Sequence, residues 1–250
     1  KKHMHNNNVK KSIYILPNLL TSINLFCGYY AITASIQQRF VDAAIAIIIG
    51  GVFDLLDGKI ARATNTTSKF GVEYDSLADL ISFGLAPAVL MFLWVLESAG
   101  RPGWSAAFLF IICGALRLAR FNSSTSSSSD FEGLPIPAAA AMNVSVVLFF
   151  SRLEINPEPF KLVILVLMFI LSFCMVSSFR YKSFKKGFVF KSMKFNRLAG
   201  LILVLVAIAT EPSILLFAVS LTYVVSGPVL ALVFQKYSKK DKTARVDKGF

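Results

Sequence analysis

The chain has 250 residues, 55% of them hydrophobic and only 16% charged, with a mean hydropathy of +0.64 and a formal net charge of +12. Such a composition excludes an ordinary soluble globular domain and points to a single polytopic membrane unit built from α-helices. The three cysteines, Cys27, Cys113 and Cys174, stand singly in apolar runs with no CxxC spacing, so they read as packing residues and not as a disulfide framework or metal site.

A polar leader, residues 1–12, carries His3 and His5, which are set aside from the chemistry. Apolar segments then follow at about 13–36, 40–62, 72–97, 104–121, 136–151, 161–179, 197–210 and 213–235. The first has no small-residue cleavage site after a short core, so it reads as a retained helix. Glu211-Pro212 reads as a tight turn into the eighth segment. The expected fold is therefore all-α, a helical bundle of about eight transmembrane helices. It divides into the leader, a membrane domain over 13–235 and a basic tail over 236–250. Eight spans put both termini on one side. With that side cytoplasmic, the outer loops hold only Arg39, Arg101, Arg152 and Lys161 of the 26 basic residues. The cluster from Arg180 to Arg197 and the tail from Lys236 to Lys248 then lie inside, the expected charge bias. Basic residues placed between spans suit anionic lipid headgroups better than nucleic acid. SSTSSSSD (123–130) is a low-complexity loop. Trp94 and Trp104 fall near the outer interface.

The turn between the second and third spans breaks the apolar pattern. DLLDGKIARATNTTSKFGVEYDSLAD (54–79) carries Asp54, Asp57, Asp75 and Asp79, and carboxylates at membrane depth are costly and functional by default. Asp54, Asp57, Gly58, Ala61 and Arg62 share one face of the second helix, and Gly71, Asp75, Ala78, Asp79 and Ser82 share one face of the third. Both acid pairs lie at the cytoplasmic ends of neighbouring helices. Four carboxylates across a short gap repel. Arg62 can offset one charge, and a pair of divalent cations, Mg²⁺ or Mn²⁺, can offset the rest with all-oxygen ligands. Gly58 and Gly71 leave room for a phosphate ligand to approach the backbone. Such a site suits phosphoryl transfer, with one carboxylate as general base and direct attack by an acceptor hydroxyl. The competing reading of each acid alone is a solvated helix cap.

The eight fixed positions of Asp54-x2-Asp57-Gly58-x2-Ala61-Arg62-x8-Gly71-x3-Asp75-x3-Asp79 resemble the signature of the CDP-alcohol phosphotransferases, integral membrane enzymes of phospholipid synthesis. The resemblance implies a helical membrane fold, a homodimer and a dinuclear metal site. It makes Asp54, Asp57 and Asp75 metal ligands and Asp79 both a ligand and the general base. Gly58, Ala61, Arg62 and Gly71 would line the CDP pocket. LPNLLTSINLFCGYYAI (16–32), CGALRLARFN (113–122) and GLPIPAAA (133–140) further resemble the bacterial membrane-spanning branch that uses serine. That likeness implies CDP-diacylglycerol as donor, L-serine as acceptor, and a cytoplasmic-membrane enzyme whose site faces the cytoplasm. The last 100 residues match only in being hydrophobic spans.

The secondary motifs also have physical readings. Arg117 and Arg120, at i and i+3, could bind an acceptor carboxylate or lipid phosphate, or simply anchor the inner end of the fourth span. Pro135 and Pro137 break the chain before the fifth span. Asn18, Thr21 and Asn24 form an approximate polar stripe; Asn18 and Thr21 are assigned to the CDP pocket, the alternative being mutual hydrogen bonding between helices. Two rival functions remain: the same chemistry with glycerol-3-phosphate or an inositol phosphate as acceptor, and a transporter using the acids as a relay. The second predicts carboxylates near the midplane and gives no reason for the glycines and Arg62.

Overall fold

The computed structural model describes residues 2–64, 66, 68–123, 131–181 and 211–246. Helix α1 covers Lys2–Ile36, α2 Phe40–Ala63, α3 Lys69–Ala99, α4 Arg101–Ser123, α5 Ile136–Arg152, α6 Lys161–Val176 and α7 Pro212–Val246. Two-residue strands β1 (Phe131–Glu132) and β2 (Arg180–Tyr181) pair antiparallel, with Phe131 opposite Tyr181; the bundle is otherwise helical among the described residues. Leu16–Ile36, Lys69–Ala99, Arg101–Ser123, Glu158–Val176 and Pro212–Val229 are each long and apolar enough to cross a membrane. α5 is apolar but shorter. α2 has the length, yet Asp42, Asp54, Asp57, Lys59 and Arg62 lie along it. The chain is a helical membrane protein. The expected span at 197–210, the serine-rich 124–130 and the basic residues 182–197 lie outside the described residues.

The apolar pattern places large side chains on the outside, as a lipid solvent requires. Phe26, Leu55, Leu77, Leu162, Val163 and Phe173 are all exposed. Small residues fill the inside instead. Ala31, Ala34, Ala43, Ala44, Ala46 and Gly50 are buried where α1 and α2 pack, the composition that lets membrane helices approach closely. Gly28 brings α1 onto α3: a Cβ there would lie 2.8 Å from the Ser82 Cα.

α3 is not a uniform helix. It widens into a π turn over Leu80–Leu85, closed by the Ala86 N–H on the Ile81 carbonyl. Pro87 gives the reason, because its ring crowds the carbonyl four residues back and it has no N–H to offer. Π turns recur at functional sites, and this one begins directly after Asp79. At its other end, α3 starts from the cap Ser68, whose Oγ accepts the Gly71 N–H at 3.0 Å.

The GLPIPAAA segment acts as a clamp. Gly133 has φ +81°, its N–H donates to the Phe179 carbonyl at 2.9 Å, and Leu134 donates to the Cys174 carbonyl at 2.9 Å. Pro135 then caps α5. The Cδ1 of Ile136 reaches both Gly84 of α3 and Gly114 of α4, within 3.4 and 2.6 Å of where a Cβ would stand. At the far end of α5, Arg152 grips Glu211 with two hydrogen bonds of 2.8 and 2.7 Å, holding that carboxyl below its usual pKa. Phe149 stacks on Phe217 of α7 at 4.7 Å between centroids.

The clamp gives a stability prediction. Gly133→Ala meets both a positive φ and the Met175 carbonyl oxygen, whereas Gly100→Ala meets a positive φ with open space around it. Positive φ alone costs about 1–3 kcal/mol. Thermal unfolding in detergent is expected to drop further for Gly133→Ala than for Gly100→Ala. Equal losses would mean that the clamp gives way without strain.

Candidate active site

The α1–α3 contact at Gly28 sets the site. One helical turn before Gly28, Asn24 is fully buried; three residues before Ser82 stands Asp79. The close approach lets the Asn24 amide donate to Asp79 Oδ1 at 3.3 Å while Ser82 Oγ donates to the Asn24 carbonyl at 2.9 Å. α2 packs on the other flank of α1 and delivers Asp54 and Asp57. One carboxylate oxygen from each of Asp54, Asp57 and Asp75 falls within 4.8 Å of the others. Asp79 stands beside this trio, within electrostatic reach of all three. All four acids come together from two helices, and α1 holds one of each pair, Asp57 through Thr21 and Asp79 through Asn24.

The flanking residues converge as well. Thr21, buried on α1, donates to Asp57 Oδ2 at 2.7 Å, with the Pro17 carbonyl 3.1 Å away as its alternative. A hydroxyl has one proton, and the shorter, charged acceptor takes it. The Gly58 N–H also reaches Asp57. Arg62 is exposed and folds back over Gly58, 3.4 Å from where a Cβ would stand, within electrostatic reach of Asp54, Asp57 and Asp75. The Ala61 carbonyl accepts the Thr66 N–H and so closes the turn between α2 and α3. At Gly71 a Cβ would meet Ser68 Oγ at 3.1 Å and Asn18 Oδ1 at 3.5 Å. Asn18 thus comes beside Gly71, and Arg62 lies over Gly58 one turn away on α2.

Arg117 and Arg120 separate. Arg117 is half-buried and within electrostatic reach of Asp79 and Tyr223, while Arg120 is exposed. Residues three apart differ by about 60° around a helix, enough for one to look inward and the other outward. Sequence reasoning named Asn24 only as part of a stripe and missed Tyr223, which lies on α7 with no local signal. It also missed Asn122, whose amide joins α4 to α3.

A divalent cation fits these residues. Three carboxylate oxygens converge, and Asp75 Oδ1 is buried with no hydrogen-bond partner. An orphaned anionic oxygen among like charges calls for a positive ligand, and an all-oxygen donor set suits a hard divalent ion.

Sequence comparisons agree with this chemistry. The profile of the CDP-alcohol phosphatidyltransferase family matches residues 14–174. A Helicobacter pylori protein named CDP-diacylglycerol–serine O-phosphatidyltransferase is 45% identical over 179 residues, covering 70% of this chain and 74% of that protein. A Bacillus subtilis protein of the same name is 35% identical over 68% of this chain and 92% of its own length. The archaetidylserine synthase of Methanothermobacter thermautotrophicus is 39% identical over 60% of this chain and 66% of its own.

Thr21 supplies a test of the cluster as a cation site. Partners that orient ligands typically change metal affinity by about 10–100-fold. Thr21→Val is expected to weaken Mn²⁺ binding at least tenfold by that measure, and Thr21→Ser to restore it, read by titration of purified protein. Unchanged affinity in Thr21→Val would remove Asp57 from the ligand set.

Proposed function

The chain belongs to the CDP-alcohol phosphatidyltransferase family, and we propose that it transfers the phosphatidyl group of CDP-diacylglycerol to the hydroxyl of L-serine, releasing CMP. The observation that carries this reading is the convergence of Asp54, Asp57 and Asp75, with Asp79 beside them and Arg62 within electrostatic reach. The names of the Helicobacter and Bacillus relatives supply the acceptor.

Asp54, Asp57, Asp75 and Asp79 would hold two divalent cations, Mg²⁺ or Mn²⁺. Bound there, the ions would supply Lewis-acid stabilisation of the diphosphate as its charge grows. The protein's own groups do the rest. Arg62 faces the nucleotide phosphate, while the missing side chains at Gly58 and Gly71 admit the nucleotide against the backbone. Asp79, oriented by Asn24, takes the proton from the serine hydroxyl. The serine oxygen bonds to the phosphorus that carries diacylglycerol, the phosphoanhydride bond to CMP breaks, and CMP leaves with the electron pair. Arg117, across from Asp79, receives the serine carboxylate. The donor's acyl chains stay in lipid throughout.

The proposal includes the setting: about eight spans, both termini cytoplasmic, a bacterial cytoplasmic membrane with the site facing the cytoplasm, and a homodimer. The uneven distribution of basic residues supports the orientation.

Purified protein is expected to release CMP from CDP-diacylglycerol with Mg²⁺ or Mn²⁺ and serine, and to stop on chelation. Asp79→Asn, folded by thermal unfolding, is expected to lose at least about 10²-fold in turnover, the usual scale for a general base. Release with glycerol-3-phosphate or an inositol phosphate in place of serine would keep the site and replace the acceptor. No release with any acceptor from folded protein would return the acids to a transport relay.

A further inference from the structure

Two contacts fix how α4 lies along α3. At one, the Asn122 carboxamide near the end of α4 donates to Glu73 Oε2 at 3.2 Å and to Ser76 Oγ at 3.1 Å, and Ser76 Oγ in turn lies 3.4 Å from Asn122 Oδ1. At the other, Ile136 Cδ1 packs against both Gly84 and Gly114. Between these contacts α3 advances from Ser76 to Gly84 while α4 runs back from Asn122 to Gly114, eight residues in each direction. The two points therefore describe one antiparallel register. Asp79 and Arg117 both lie inside the bracketed stretch, and Arg117 Nε is buried with no hydrogen-bond partner.

We propose that Asn122 is a positioning residue for acceptor recognition: its amide locks the register that stands Arg117 opposite Asp79. The proposal rests on the reading of the site as one that takes an anionic acceptor. The two ends of the bracket differ in kind. The Ile136 contact is apolar and excludes overlap, but it permits sliding and rotation. The Asn122 amide is directional, because its NH2 group donates to both Glu73 and Ser76 on α3, while the Ser76 hydroxyl proton goes to the nearer Val72 carbonyl at 3.1 Å. A helix that slips by one residue moves about 1.5 Å and turns about 100°, which would swing Arg117 away from Asp79. Misplacement on that scale can cost about 10²-fold at a reacting centre. The bare Arg117 Nε is the group that an acceptor carboxylate would engage, so a loosened register falls first on the acceptor and not on the donor, whose diphosphate is gripped from α2.

The experiment compares Asn122→Ala, Asn122→Asp and the double variant Asn122→Asp/Glu73→Gln, in which carboxylate and carboxamide exchange places. KM for serine, KM for CDP-diacylglycerol and kcat are measured separately in detergent with saturating Mn²⁺. Glu154→Val, a β-branched residue at the positive φ of the turn after α5, controls for destabilisation alone. Asn122→Ala is expected to raise the serine KM roughly tenfold while the CDP-diacylglycerol KM stays within about twofold. Asn122→Asp, which sets two carboxylates together, is expected to be at least as impaired, and the exchanged pair to recover most of the loss. Arg117→Gln combined with Asn122→Ala is expected to be little worse than Arg117→Gln alone, since the two act on one contact. Three results would overturn the proposal: no recovery in the exchanged pair, full additivity with Arg117→Gln, or a serine KM that rises equally in Glu154→Val. If another acceptor proves to be the substrate, its KM replaces that of serine. If Arg117→Gln leaves the acceptor KM unchanged while metal-dependent CMP release persists, the positioning role fails and the donor chemistry stands.

Discussion

Mutual repulsion of four carboxylates at the edge of a low-dielectric membrane is the constraint on which the rest depends. Unlike charges in water, these cannot be screened by solvent alone. The sequence answers with two guanidinium groups, Arg62 near Asp54, Asp57 and Asp75 and Arg117 near Asp79, and with neutral donors aimed at individual oxygens: Thr21 and the Gly58 N–H at Asp57, Asn24 at Asp79. These donors orient the acids but add no positive charge. The deficit left over is what a divalent cation would offset.

The scaffold follows from the need to bring the donors close. Thr21 and Asn24 can reach the acids only if α1 lies almost in backbone contact with both neighbours. Gly28 permits that against α3, and Gly50 permits it against α2, where a Cβ would fall 2.9 Å from Asn24 Oδ1. Alanines continue the same seam above the site. Packing without bulky side chains is the usual means of association between helices in lipid. Here it also delivers hydrogen bonds, so the seam that holds the bundle together is the one that tunes its chemistry.

The acid faces were legible in the sequence because a helix converts spacing directly into direction: residues three and four apart meet one partner. The pairing of Asp54 and Asp57 with Asp75 and Asp79 needed only a short turn, and Ser68 and Thr66 supply it. What spacing could not express was rotation of a few tens of degrees or a change of helix type. Arg117 and Arg120 looked equivalent at i and i+3, yet the 60° between them puts one inside and one out. The π turn after Asp79 was hidden too, although Pro87 was the residue to ask about. GLPIPAAA read only as a chain break before the fifth span, which it is, and it also packs Ile136 against Gly84 of α3 and Gly114 of α4. Asn122 and Tyr223 depend on contacts between distant segments, which no local pattern encodes.

Tyr223 carries the argument beyond the region that the family shares. The family profile ends at residue 174, and α7 lies wholly after it. Yet α7 is fixed firmly to α5, by Arg152 on Glu211 just before its first turn and by Phe149 on Phe217 two turns further along. Those contacts set the height at which Tyr223 meets Arg117. A half-buried guanidinium has five donors to satisfy, and a phenol brought by a separate helix takes part in its surroundings without adding charge. The donor half of the site thus depends on α1 to α3, which the shared motif specifies. The surroundings of Arg117 depend on α5 and α7 as well, and α7 lies outside the region that the family profile matches.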